Sequence, residues 1–353
     1  MSASVRIPDE VSRAWRELEG ECRVEPLAGG LLHSTLRVRT STGTWVLQRV
    51  SDVFSSAIED NIRSVTAHLR ARGLVAPVLL PSRRGAVGVD AGPHGRWRLM
   101  EDLGGVCFER LASLEQARSA GRLVGRFHGA LRDFDGELAP MGIPYRDTPA
   151  YLKALRHALA TRKDHRLAAR VRPLGEAVLA AFESLGPPAE GLPQRVIHGD
   201  LKLANVLFEG PQPPARDRAF ALIDLDTLMR GPLWMELGDV WRSWCNPSGE
   251  ETAGAGFDLA AFEASWRGFV EGHAEPLETA ELESLETAAE RITLEVCARF
   301  VTDALEECYF GWNPERHPAR GEHNAERAER QWALYEAERE QLEARRAVLH
   351  ASK

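Results

Sequence analysis

The feature that most constrains this chain is a polar loop held between short apolar runs. Residues 196–208 read V-I-H-G-D-L-K-L-A-N-V-L-F, and residues 221–227 follow with A-L-I-D-L-D-T. The runs Arg195-Val196-Ile197 and Val206-Leu207-Phe208 read as short strands around a tight loop, because brief apolar segments bounded by turn residues favour extended backbone. The H-x-D-x-x-x-x-N spacing, followed at hairpin distance by the apolar-flanked Asp224, supplies one base and two hard oxygen donors, the parts of a phosphotransfer centre. In that reading Asp200 takes or orients the proton of an acceptor hydroxyl. Asn205 and Asp224 offer oxygens to Mg²⁺, which binds together with nucleotide phosphates. Lys202 neutralises charge growing on the transferred phosphoryl group, and His198 braces the loop. The bland alternative is a capped turn rich in His, Asp and Asn; it explains an isolated H-x-D, but not this loop together with the second aspartate.

Composition places few obstacles before a soluble enzyme. The 353 residues are 44% hydrophobic and 27% charged, ordinary globular usage and enough chain for two lobes. A net charge of −8 argues against nucleic acid or an anionic membrane as partner, since either needs a clustered excess of Lys and Arg. The basic run 162–172 is the local exception and reads as a solvated helix face. Cys22, Cys107, Cys245, Cys297 and Cys308 form no C-x-x-C pair and are odd in number, which suits a reducing cytoplasm. The first residues lack an apolar signal core, and no run approaches the roughly 18 apolar residues of a membrane span, so a cytoplasmic location is expected.

Periodicity then predicts the order of elements. A short helix over 9–20 precedes strand-like alternation over 24–50, with a turn at 41–44. Residues 55–72 have helical spacing through Ile58, Ile62, Val65 and Leu69 and stop at Gly73. Strands follow near 86–89 and 97–100, and the glycine-rich 101–105 suits a hinge. Helices are expected at 114–131, 149–161, 166–185, 259–271, 276–307 in one or two pieces, and 325–347. Residues 209–217, rich in Pro and charge, form a surface excursion between two strands of the site.

These motifs together resemble the aminoglycoside phosphotransferase and choline kinase group of kinase-fold small-molecule kinases. I-D-L-D stands in place of D-F-G, no A-P-E follows, and no G-x-G-x-x-G is present, so the usual signatures of a protein kinase are absent. Within the group the chain is similar to N-acetylhexosamine 1-kinases, through G-G-L-L-H-S-T from Gly29, V-L-Q-R-V from Val46, I-D-L-D-T-L-M-R-G from Ile223, G-D-V-W-R from Gly238, and R-F-V-T-D from Arg299 with Tyr309-Phe310. It departs from them where His198-Gly199-Asp200-Leu201 replaces a common His-Asn-Asp-Thr and where Glu236 begins a segment in which Asp is expected.

The resemblance implies an α+β, two-lobed, protein-kinase-like fold: a small antiparallel-sheet lobe over 1–100, a hinge at 101–105, and a larger, mostly helical lobe over 106–353. It implies ATP and Mg²⁺ as cofactors and a small-molecule acceptor, most closely a sugar. Gly29 and Gly30 would bring backbone N–H groups to the phosphates, with Ser34 or Thr35 helping; a Gly-Gly turn without ligand is the alternative. Arg49 would grip the phosphates from its strand, paired with either Glu59 or Asp60. Glu101 and Leu103 would offer hinge backbone to the base, beside Met100. His33, Asp226, Arg299 and Tyr309 would converge on the acceptor. Against these stand plain readings: Arg299 paired with Glu295 or Asp303, Tyr309 in the core, His33 as a capped loop residue. Asp226 rests on more, because two residues along an extended segment point to one face. Asp239 reads as a brace, and Trp234, Trp241 and Trp244 as core. An aminoglycoside, choline or homoserine acceptor remains open, as does a catalytically silent binding module, though the base and both metal ligands are in place.

Overall fold

The structure, a computed structural model, describes residues 6–27, 34–249, 254 and 256–351. The first helix, α1 (Asp9–Ser12), is shorter than its sequence pattern predicts. Trp15 turns extended, buries its ring completely and donates its Nε1–H to the Leu80 carbonyl at 3.1 Å, so a separate turn, Arg16–Leu18, follows. Strands β1 (Arg23–Pro26), β2 (Ser34–Thr40) and β3 (Gly43–Val50) precede helix α2 (Ile58–Ala71), and β4 (Gly88–Asp90) and β5 (Arg96–Glu101) complete an antiparallel sheet of order β1-β2-β3-β5-β4.

Alternation divides this sheet into two faces. Leu36, Val38, Leu47, Trp97 and Leu99 pack with Ile7, Val11, Trp15 and Leu18 into one apolar cluster. The opposite parity, with Thr35, Arg37, Val46, Gln48, Arg98 and Met100, lines a cleft. Helix α2 buries Ile58, Ile62, Val65 and Leu69 and is followed by Gly73 at φ +76°, a left-handed stop that suits glycine.

Beyond Glu101 helices dominate: α3 (Leu114–Ala130), α4 (Thr148–Thr161) and α5 (Ala168–Leu185) come first. Four short strands follow, β6 (Arg195–Ile197), β7 (Val206–Phe208), β8 (Ala219–Leu222) and β9 (Met229–Gly231). The strands flanking the polar loop do not pair with each other: β6 pairs with β9, and β7 with β8. Then come α6 (Leu233–Trp244), α7 (Leu259–His273), α8 (Thr279–Leu285), α9 (Ala288–Glu306), α10 (Arg320–Glu340) and α11 (Leu342–Ala351). Helix α6 has no counterpart in the sequence reading. It is buried on nearly every side: its sequence is amphipathic, with Glu236, Asp239 and Arg242 spaced along one stripe, but those charges are buried with the rest. Among the described residues no helix is long and apolar enough to cross a membrane.

Candidate functional site

The polar loop between β6 and β7 is held from below by a buried carboxylate. Both oxygens of Glu236, on α6, accept backbone N–H groups, from His198 at 2.8 Å and from Gly199 at 2.9 Å. Burial raises the Glu236 pKa, but His128, its Nε2 3.3 Å away, and the two donated hydrogen bonds hold it below the usual carboxylate range. Gly199 has φ +82°, and a side chain there would run into the Thr227 carbonyl, which explains the glycine. His198 accepts the Asp200 N–H at Nδ1, so its Nε2–H donates to the Ile223 carbonyl at 2.8 Å, and its own carbonyl accepts from Thr227 Oγ1 at 2.7 Å. His198 therefore ties the loop to the Asp224 segment.

Asp200 projects from this frame. Its Oδ2 lies 3.1 Å from Lys202 Nζ and 3.2 Å from Asn205 Nδ2, whose other hydrogen bond goes to the Asp200 carbonyl at 2.8 Å. With the amide nitrogen so committed, the Asn205 oxygen is the end available to a cation. Asp224 sits in the left-handed region at φ +63°. It lines both cavities of the site, one of about 480 Å³ beneath the sheet and one of about 380 Å³ above the polar loop. Asn205 and Asp224 offer hard oxygens and no His or Cys, a donor set that fits Mg²⁺ completed by phosphate oxygens and water.

The cavity beneath the sheet is lined by Thr35, Gln48, Arg98, Met100, Glu101, Leu103, Asn205 and Asp224, among others. Thr35 accepts from Gln48 Nε2 at 3.1 Å. Two expected residues are not there. Arg49 and Ser34 are register partners on the other face of the sheet, where Arg49 is exposed and reaches over Gly95, because strand parity gives the cleft to Gln48 and Thr35 instead. Nor do the acidic candidates meet Arg49: Glu59 pairs with Arg96, Nε to Oε1 at 2.8 Å, and Asp60 with Arg63. Gly29, Gly30 and His33 lie outside the described residues.

The second cavity brings Asp200, Lys202, Asp224, Tyr145, Arg299 and Tyr309 together. Arg299 pairs with neither Glu295 nor Asp303. Its guanidinium lies 4.8 Å from the Tyr151 ring centre, 5.4 Å from Tyr309 and 5.1 Å from Phe310, a cation set among aromatic faces. Asp303 instead accepts the N–H groups of Cys308, Tyr309 and Phe310, each at 2.8 Å, and so shapes the turn that presents the half-exposed Tyr309. Asp226 is 2% exposed, and both its oxygens meet Arg98, at 2.5 and 2.9 Å. Asp226 nonetheless lines this cavity with Asp200 and Asp224, although Leu225–Thr227 is a helical turn and not the extended segment that the sequence argument assumed.

Sequence reasoning missed the residues that lock this floor. Arg146, at φ +52°, donates to the Gly199 carbonyl through Nε (3.1 Å) and Nη2 (2.8 Å) and pairs with Asp239 at 2.9 Å and Glu295 at 3.4 Å. Burial would raise the Asp239 pKa, but Arg146 and Arg242 hold it down at about 2. A positive-φ arginine leaves no trace in hydropathy. Arg98 did leave one: a charge inside the apolar run W-R-L-M.

Comparison with known proteins agrees with this geometry. The profile of the phosphotransferase enzyme family matches residues 23–270. Curated relatives include a homoserine kinase of Methylobacterium sp. (strain 4-46), 27% identical over 86% of this chain and 89% of that protein. Another homoserine kinase, from Methylocella silvestris, is 28% identical over 82% of this chain and 84% of its own length. Among solved structures, a microcompartment-associated aminopropanol kinase superposes with TM-score 0.60 at 16% identity, covering 93% of this chain and 94% of that one. An aminoglycoside phosphotransferase of Alicyclobacillus acidocaldarius gives 0.59 at 18%, covering 97% and 98%. The chain has the kinase-like fold, belongs to the phosphotransferase enzyme family and is a small-molecule kinase.

Proposed function

We propose that the protein transfers the γ-phosphoryl group of ATP, with Mg²⁺, to a hydroxyl of a small acceptor, and that the acceptor is a sugar phosphorylated at its anomeric hydroxyl, such as an N-acetylhexosamine. The observation that carries this reading is the second cavity: Asp200 faces a wall of Tyr145, Arg299 and Tyr309, while the carboxylates of Asp226 and Asp239 are already matched by Arg98, Arg146 and Arg242. Among the described residues, the acidic side chains of this pocket are those of the phosphotransfer centre, Asp200 and Asp224, and the arginine-matched Asp226 and Asp239, a poorer match to a polycationic aminoglycoside. Aromatic faces and a forked donor suit a ring bearing hydroxyls.

In this reading the acceptor oxygen attacks the γ-phosphorus while Asp200 takes its proton, and the bond to the bridging oxygen of ADP breaks in line. Lys202, beside Asp200, balances charge on the transferring group. Glu101 and Leu103 meet the base, and Thr35 lines the same cleft from β2. Asn205 and Asp224 would hold Mg²⁺, which when bound neutralises phosphate charge. An anomeric hydroxyl is more acidic than an ordinary alcohol, which eases its deprotonation.

A second reading, homoserine as acceptor, is favoured by the homoserine kinases that match over most of the chain. Arg299 would then meet the carboxylate. The test is ADP release with Mg²⁺ and ATP across N-acetylglucosamine, N-acetylgalactosamine, plain hexoses, homoserine, choline and kanamycin. Turnover with a hexosamine, giving an acid-labile and alkali-stable phosphate, supports the first reading. Turnover with homoserine alone replaces it with the second.

A further inference from the structure

We propose that Arg98, on β5, is the cation that grips the nucleotide phosphates, and that Asp226 and Gln48 hold it in place for that purpose. This rests on the ATP-dependent reading above. The cleft-facing positions of β3 are Val46 and Gln48, neither of them charged, and Arg49 faces away. Two cations line the cleft from the described residues, Arg37 and Arg98. Their register separates them. Arg37 lies opposite Val46, which itself lies opposite Met100, and its Nε meets Asp102 at 2.5 Å, so it stands at the hinge end. Arg98 lies opposite Gln48, two residues or about 7 Å farther from the hinge, where a triphosphate extending from a hinge-bound base arrives.

The guanidinium at that point is immobilised. Nε and Nη2 both donate to Gln48 Oε1, at 2.8 and 2.5 Å, while Nη1 and Nη2 meet the two oxygens of Asp226 at 2.5 and 2.9 Å. One Nη1 hydrogen is left over, on a group that is 2% exposed and lines the cleft. Burial opposes its charge, but Asp226 and then Asp224 sustain it. A guanidinium stays charged where a buried lysine would tend to lose its proton. On the same face of β5, Arg96 ties the strand to Glu59 of α2. The strand therefore carries two arginines, one anchored to the small lobe's helix and one to the loop that follows Asp224. Arg98 would thus register the phosphates against the metal-holding segment, the task Arg49 cannot perform from the other face.

The test compares full-length wild type and variants for binding of ATP and of adenosine, which shares the base but lacks phosphate. Arg98→Met is expected to weaken ATP at least about tenfold, the loss of one charge-assisted contact, with adenosine affinity unchanged. Wild-type ATP affinity in Arg98→Met, or equal losses for ATP and adenosine, would overturn the inference. Should Arg98→Met not fold, Arg98→Lys decides the matter: a raised KM for ATP at unchanged adenosine affinity and thermal midpoint supports it, and a wild-type KM overturns it. A wild type that binds no ATP would instead overturn the underlying functional reading.

Discussion

The two cavities that meet at Asp224 are built in different ways. The cleft beneath the sheet takes its lining mainly from alternate residues of neighbouring strands and from residues 101–105, and Arg98, in that lining, forms a fully buried ion pair with Asp226. The cavity above the polar loop draws side chains from segments scattered between Phe54 and Arg327 and rests on cross-paired buried charges, Arg146 with Asp239 and Glu295, and Asp239 with Arg242. A strand-lined cleft tolerates side-chain exchange as long as parity is kept. A floor of interlocked charges does not, because removing one member strands the others in low dielectric.

That contrast can be broken most forcefully at Arg146. Arg146→Met leaves Asp239 and Glu295 short of a cation and the Gly199 carbonyl short of a donor, with an expected stability loss of about 3–5 kcal/mol. Thermal and urea unfolding would read it, and a loss below 1 kcal/mol would contradict the interlocked floor. Arg299→Ala should be gentler on the fold, since aromatic rings and not carboxylates surround it. It should raise the KM for acceptor about tenfold while leaving the KM for ATP alone. Equal shifts in both constants would mean that the two cavities are not functionally separate.

A smaller effect is expected at the buried Glu338 of α10. Burial and then the neighbouring Glu290 push its carboxyl up to about 8, while Thr293 donates to it and Arg345 and Arg242 only partly offset the charge. Between its ordinary value of 4.5 and about 8 the folded chain keeps a proton that the unfolded chain has lost, so this group makes stability fall as pH rises through that window. Glu338→Gln should therefore raise the thermal midpoint more at pH 8 than at pH 5. Parallel midpoint curves for the two proteins would refute that. The smallest effect is expected at Arg49, where Arg49→Ala should change stability by less than about 0.5 kcal/mol and leave the KM for ATP unaltered, as an exposed strand position would.

The same contrast decides what was legible in the sequence. The polar loop, the Asp224 segment and residues 101–105 are local patterns, and residues from all three line the two cavities. Arg49 and Ser34 were misplaced because parity within a strand has to be anchored by knowing which face is covered. Residues 6–18 cover it, and nothing local to β3 announces that. The roles of Arg146, Glu236 and Glu295 were missed for a different reason. Their partners are 53, 37 and 149 residues away respectively, so only the packed fold joins them. Helix α6 was missed although Glu236, Asp239 and Arg242 recur at helical spacing, because Glu236 and Asp239 read as motif residues and not as one face of a helix.

The central claim is that Asp200, fixed by the Glu236-braced loop, takes the proton of an acceptor hydroxyl during phosphoryl transfer. Its most direct test is Asp200→Asn, assayed for phosphorylated product and for ATP binding on one preparation. The account predicts turnover reduced by at least about a thousandfold with ATP affinity within about twofold of wild type. Turnover near the wild-type rate, with the variant folded and binding ATP, would contradict it.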